Sequence, residues 1–159
     1  MKSIFYYETI IGEIGIADNG KGITNIYIKD KLKIEKDIEV KETKLIKEAA
    51  SQLNEYLSGS REDFSIPFDL EGTEFQVKVW NELIKIPYGE TRTYKEIAEK
   101  IGNPKAARAI GMANNKNPIL IMIPCHRVVG KNKSLVGYAG GLKMKERLLE
   151  IEHKNIQIY

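Results

Sequence analysis

The chain has 159 residues, 42% of them hydrophobic and 30% charged, with a formal net charge of +3. This composition excludes a disordered polyelectrolyte, and the length fits one compact unit or two small lobes. No stretch approaches the ~18 consecutive apolar residues of a membrane-spanning helix, and Met1–Glu8 has no signal-peptide pattern. The single cysteine cannot form an internal disulfide, so a reducing cytoplasm is the expected setting.

Residues 2–8, 12–18 and 22–29 read as short strands rich in Ile, Tyr or Thr. Gly12 and Asn19-Gly20-Lys21-Gly22 mark the turns, so an antiparallel meander is expected. Residues 30–44 read as a charged, exposed connection. Leu45, Ile46, Ala49, Ala50, Leu53, Tyr56 and Leu57 then form one face of a helix that Gly59 can end. Phe64–Phe68 is a short extended piece. Composition shifts near Glu71-Gly72, dividing the chain into lobes 1–70 and 71–159.

In the second lobe, Thr73 with Gln76 three residues on predicts a capping box, followed by the apolar stripe Phe75, Val79, Trp80 and Leu83. Core packing is the ordinary role for Trp80. Ile86-Pro87-Tyr88-Gly89 breaks that helix. A helix from about Thr93 to Ile101 ends at Gly102. Asn103 is expected to cap the next, with Pro104 in its first turn and Lys105–Ala113 following. Helix, glycine turn, helix is a helix-turn-helix pattern. Its second helix is mostly Ala and Gly with one long cation, Arg108. That surface suits close, sequence-tolerant approach to a narrow groove better than base reading, although helix pairs also serve packing alone.

Next comes Ile119-Leu120-Ile121-Met122-Ile123, read as a buried strand that Pro124 ends before Cys125-His126-Arg127. A lone cysteine is most often a small buried hydrophobe. A thiol beside an imidazole and a guanidinium instead has neighbours that lower its pKa and raise its reactivity. The only other histidine, His153, is distant, so no metal-ligand spacing exists and neither metal nor cofactor is expected. A last helix runs from Leu142 to about Glu152.

Charge divides unevenly. Residues 1–70 carry 10 basic against 13 acidic side chains, while residues 71–159 carry 15 against 9, a surplus of six positive charges. The second lobe is therefore the candidate for an anionic partner such as nucleic acid.

The chain resembles the O6-alkylguanine-DNA alkyltransferases (methylated-DNA–protein-cysteine methyltransferases). The resemblance lies in Thr73-Glu74-Phe75-Gln76, Val79-Trp80, Ile86-Pro87, Gly89, Tyr94, Asn103–Ala109, Asn117-Pro118, Pro124–Val129 and Tyr138–Leu142. It implies an α+β fold: an N-terminal ribonuclease-H-like lobe with an antiparallel sheet and a helix, and a mainly helical C-terminal lobe with a winged-helix-like helix-turn-helix. It implies direct repair of O6-alkylguanine in double-stranded DNA by a monomer, through base flipping and irreversible transfer to Cys125. Activity on O4-methylthymine stays open.

By the same resemblance, His126 takes the thiol proton through a bridging water, with Glu152 behind it. Asn117 braces the active-site turn, and Tyr94 aids extrusion and donates to the purine ring. Arg108 fills the gap left by the base, on a DNA-binding surface with Ala107, Lys105 and Tyr94. Backbone groups at Cys125, Val128 and Ala139 read the guanine edge, and Tyr138 walls the pocket. Ala139 stands where some members have serine, which leaves the pocket's width open. The alternative is a module that senses alkylated bases without transfer. A thiol hydrolase is a third reading, with only His126 and His153 as possible bases.

Overall fold

A computed structural model of the chain describes residues 1–28, 37–135, 138 and 140–156. The chain divides into two compact units, Met1–Glu71 and Gly72–Tyr159.

The first unit is built on a four-stranded sheet. Strands β1 (Lys2–Thr9), β2 (Gly12–Asp18) and β3 (Ile23–Ile28) form the expected antiparallel meander. The spatial order is β3-β2-β1-β4, with β4 (Ile38–Val40) parallel to β1. This fourth strand corrects the reading of residues 30–44 as a plain connection. Three residues with a central glutamate and an exposed Val40 are too short to show an alternating pattern, and the pairing comes from β1 alone.

Helix α1 (Lys44–Leu57) begins at Thr43, whose side chain accepts from the Ile46 N–H and also hydrogen-bonds the Asp18 carboxylate at the end of β2. One polar residue thus caps the helix and ties it to the central strand. The helix buries Ile46, Ala49, Leu53 and Tyr56 in the same core as Ile4, Ile14, Ile16 and Ile26 of the sheet. Spacing by three and four on the helix and by two on β2 brings these apolar sets together.

The second unit is mainly helical. Helix α2 (Glu74–Ile84) carries the expected capping box between Thr73 and Gln76. Trp80 is buried and donates from Nε1 to the Ala113 carbonyl at 2.9 Å, joining α2 to α4 (Ala107–Asn115). A Cβ on Gly72 would fall 2.5 Å from the Trp80 ring, so only glycine allows the chain to pass there.

Helix α3 (Tyr94–Lys100) is capped by Thr93 and ends near Gly102, whose φ of +81° suits glycine. The start of α4 differs from expectation. Asn103 does not cap the helix: its carbonyl accepts from the Ala106 N–H in a separate turn, and α4 begins at Ala107 without a side-chain cap. Pro104 restricts Asn103 to a conformation outside the helix, and the closed turn uses up the backbone groups a cap would have served. Strands β5 (Arg92–Thr93) and β6 (Val128–Val129) pair in parallel beside the α3–α4 pair, and α5 (Leu142–Ile156) closes the unit.

Candidate active site

The thiol sits at the end of a compact buried loop. The apolar run 119–123 is not the strand its composition suggests. The Ile123 N–H bonds the Ile119 carbonyl, the Met122 N–H bonds the Leu120 carbonyl, and Ile121 adopts a φ of +75°. A β-branched residue rarely takes this left-handed conformation, so the surroundings must hold it. Asn117 does part of that work. Its amide nitrogen donates to the Ile123 carbonyl at 2.8 Å and its oxygen accepts from the Ile119 N–H at 2.9 Å. One side chain therefore clamps both ends of the loop. Cys125-His126-Arg127 then form a 3₁₀ turn leading directly into β6.

Cys125 is fully buried, and burial pushes its thiol up to about 11. Hydrogen bonding from Asn117, the positive charge of Lys145 and hydrogen bonding from Tyr138 work in the opposite direction. At neutral pH the resting group is a thiol that must lose its proton before attack.

The next residue, His126, begins a buried polar chain. His126 Nε2 lies 2.6 Å from Glu152 Oε2. Burial lowers the His126 pKa against the pull of Glu152, which favours a neutral imidazole able to accept a proton. Glu152 also receives Arg127 Nε at 2.9 Å, Arg127 Nη2 at 3.1 Å and the Gly89 N–H at 3.0 Å. Burial alone would raise its carboxyl. The His126 and Arg127 contacts outweigh that and bring it down to about 2, so the carboxylate is charged. Arg127 further donates to the Ile86 carbonyl at 2.7 Å and lies over the Tyr88 ring, so the 86–89 turn, the 3₁₀ turn and α5 are fastened together.

Asn117, Tyr138 and Tyr94 interact with Cys125, His126 pairs with Glu152, and Val128 begins the strand that follows the 3₁₀ turn. Tyr94, the first residue of α3, is half-buried. Burial raises its hydroxyl pKa, as does the nearby Cys125 charge, while a hydrogen bond from Asn114 lowers it. Tyr138 is buried with its ring edge-on to His126. Arg108 lies on the exposed side of α4, Ala107 is partly exposed beside it, and Lys105 is exposed in the preceding turn. Ala139 lies outside the described residues.

Two participants were not assigned from sequence. Arg127 looks like a simple neighbour of the thiol, yet it is the main holder of Glu152. Lys145 is completely buried and hydrogen-bonds the Val128 carbonyl. Burial brings its amine down to about 8, against the opposing influence of Cys125. Its signal was available: Lys145, Leu148 and Glu152 share one face of α5 by helical spacing, and all three are buried. Leu142, the first residue of that helix, is half exposed.

A buried thiol backed by an imidazole–carboxylate pair, next to a helix-turn-helix, defines a thiol-dependent protein with a helical nucleic-acid-binding type of lobe. The comparisons with known proteins agree. Residues 74–154 match the 6-O-methylguanine DNA methyltransferase DNA binding domain, and residues 4–70 match the ribonuclease-like domain of the same family. A methylated-DNA–protein-cysteine methyltransferase of Methanosarcina barkeri is 50% identical over 157 residues, covering 96% of this chain and 99% of the relative. The constitutive methylated-DNA–protein-cysteine methyltransferase of Bacillus subtilis is 46% identical, covering 91% and 92%. The crystal structure of Mycobacterium tuberculosis OGT in complex with DNA superposes with a TM-score of 0.90 at 41% identity, covering 96% of this chain and 94% of that one. The chain belongs to the 6-O-methylguanine DNA methyltransferase family.

Proposed function

We propose that this chain repairs alkylated duplex DNA by moving the alkyl group from O6 of guanine to Cys125, once per molecule. The observation that carries this reading is the fully buried thiol on the same 3₁₀ turn as His126, whose partner Glu152 is held as a carboxylate. A module that only sensed damage would have no use for a proton acceptor organised behind a thiol.

His126 takes the Cys125 proton through a bridging water, and Glu152 stabilises the resulting imidazolium. The Sγ–carbon bond forms as the carbon–O6 bond breaks, and the bonding pair passes into the purine. Tyr94 gives its proton to a ring nitrogen, and the proton on His126 restores Tyr94. The net result is guanine and a thioether. Lys145 sits where its charge supports the thiolate, and Asn117 holds the loop that aims it. Val128 and Tyr138 line the base pocket.

The lobe 71–159 carries both the chemistry and the DNA surface, and its surplus positive charge supports sequence-tolerant, salt-sensitive binding. Arg108 occupies the space of the extruded base, on a DNA-binding surface with Ala107, Lys105 and Tyr94. An alkylated base pairs poorly, which lowers the flipping cost of a few kcal/mol. No helix among the described residues is long and apolar enough to cross a membrane. A reaction that consumes a reduced thiol suits the cytoplasm.

The direct test is Cys125→Ala with a duplex holding one O6-methylguanine. Transfer should vanish while duplex binding persists. Loss of methyl from the DNA by this variant would refute the assignment.

A further inference from the structure

Helix α4 carries a polar side chain on its inner face, and the mechanism above does not use it. Asn114 is 1% exposed. Its Nδ2 donates to the Cys125 backbone carbonyl at 3.3 Å. A carbonyl can only accept, so this contact fixes which end of the amide is nitrogen. The same amide lies close enough to the Tyr94 hydroxyl to lower its pKa. The Tyr94 ring lies over Gly111, one turn earlier on α4, where an added Cβ would meet ring atoms at 3.8 and 3.9 Å. Tyr94, Gly111 and Asn114 thus share one contact face. Among the described residues, Asn114 Oδ1 is buried with no hydrogen-bond partner. An orphaned buried carbonyl costs stability, and an apolar residue of similar size would avoid that cost. The amide is kept for its donors.

An NH₂ group has two N–H bonds. With one on the Cys125 carbonyl, the other is left for the Tyr94 oxygen, and a donor at that oxygen is what lowers a phenol's pKa. A phenol that accepts at its oxygen has its own hydrogen turned away from that donor.

We propose that Asn114 is a positioning residue for alkyl transfer: anchored on the Cys125 carbonyl, it holds the Tyr94 hydroxyl as an acceptor and so directs the Tyr94 proton toward the alkylated base. This rests on the reading of Tyr94 as the proton donor. It also links the helix that would face DNA to the backbone of the nucleophile.

The experiment is a double-mutant cycle with Asn114→Leu and Tyr94→Phe, measuring single-turnover methyl transfer from a duplex containing O6-methylguanine. Asn114→Leu should slow transfer by about tenfold, a part of the 10²–10⁴-fold typical of a general acid. In the Tyr94→Phe background the same substitution should change the rate by no more than about twofold, because the hydroxyl it acts on is gone. Methylation of Cys125 by methyl iodide, whose leaving group takes no proton, should stay near the parent rate in Asn114→Leu. Asn114→Ala, which leaves a small cavity instead of added apolar bulk, should give the same pattern and so controls for misfolding. Equal slowing with and without Tyr94, or a parallel loss with methyl iodide, would overturn the proposal by making Asn114 a brace for the Cys125 loop. A Tyr94→Phe rate equal to the parent rate would also overturn it. A parent protein that transfers no methyl group from DNA would instead sink the repair reading itself.

Discussion

The two units bury polar groups in different ways. In Met1–Glu71 the buried polar side chains join neighbouring pieces of backbone. Gln52 accepts from the Ser65 N–H and donates to the Ser65 and Glu48 side chains, and Asp18 meets the Thr43 cap. In Gly72–Tyr159 the buried set includes His126, Arg127, Lys145 and Glu152, all against one short turn. Burying ionisable groups costs far more than burying amides, and the first unit confines it to Asp18 beside the helix cap. The first unit has a scaffold's interior. The second gathers its buried ionisable side chains near the thiol-bearing turn.

The sharpest way to break this contrast is to remove one polar group from each unit. Glu152→Ala strands Arg127 without its carboxylate and should cost about 3–5 kcal/mol. Gln52→Ala loses neutral hydrogen bonds and should cost about 1–3 kcal/mol. Thermal or denaturant unfolding reads both, and equal losses would erase the distinction. Acid should reveal the same asymmetry. The Glu152 carboxyl lies at about 2 in the folded protein against an ordinary 4.5. Its contribution is therefore fully present above 4.5 and is lost as pH falls toward 2. Glu152→Gln should flatten that part of the stability curve, whereas Gln52→Ala should leave its shape unchanged.

A smaller effect is expected where charge acts on chemistry. Lys145→Met removes a buried cation that favours the thiolate, so the Cys125 pKa should rise further from about 11. Each added unit should slow transfer at neutral pH by about tenfold. The pH dependence of Cys125 methylation by methyl iodide measures this, and an unmoved profile would leave Lys145 as packing only. At the surface, Arg108→Ala should slow duplex repair by roughly tenfold relative to reaction with free O6-benzylguanine, which needs no extrusion. An equal fall in both rates would make Arg108 a support for the fold.

The sequence was most readable where local pattern and packing agree. The meander, α1 with its Ile–Ala–Leu face, the Thr73–Gln76 capping box and the Trp80 core position all follow from spacing and cap chemistry. Legibility failed where long-range partners decide. Ile38–Val40 becomes a strand only because β1 offers a free edge. The run 119–123 has strand composition, but the Asn117 clamp folds it into a loop. Asn103 looks like a helix cap and serves a turn instead. At the site, Cys125 and His126 announce themselves by adjacency. Glu152 follows only from the family resemblance, Lys145 shows itself only by its spacing from Leu148 and Glu152, and the contacts of Arg127 and Asn114 have no local pattern that encodes them.

Alkyl transfer to a thiol makes Cys125 a consumed reactant and not a catalyst. Protein should be mixed with a several-fold excess of duplex carrying one O6-methylguanine, and its intact mass followed with time alongside the methyl left on DNA. The account predicts one added methyl per molecule, located on Cys125, with repaired guanine never exceeding the protein present. Guanine formed beyond that amount, or methyl located on another residue, would contradict it.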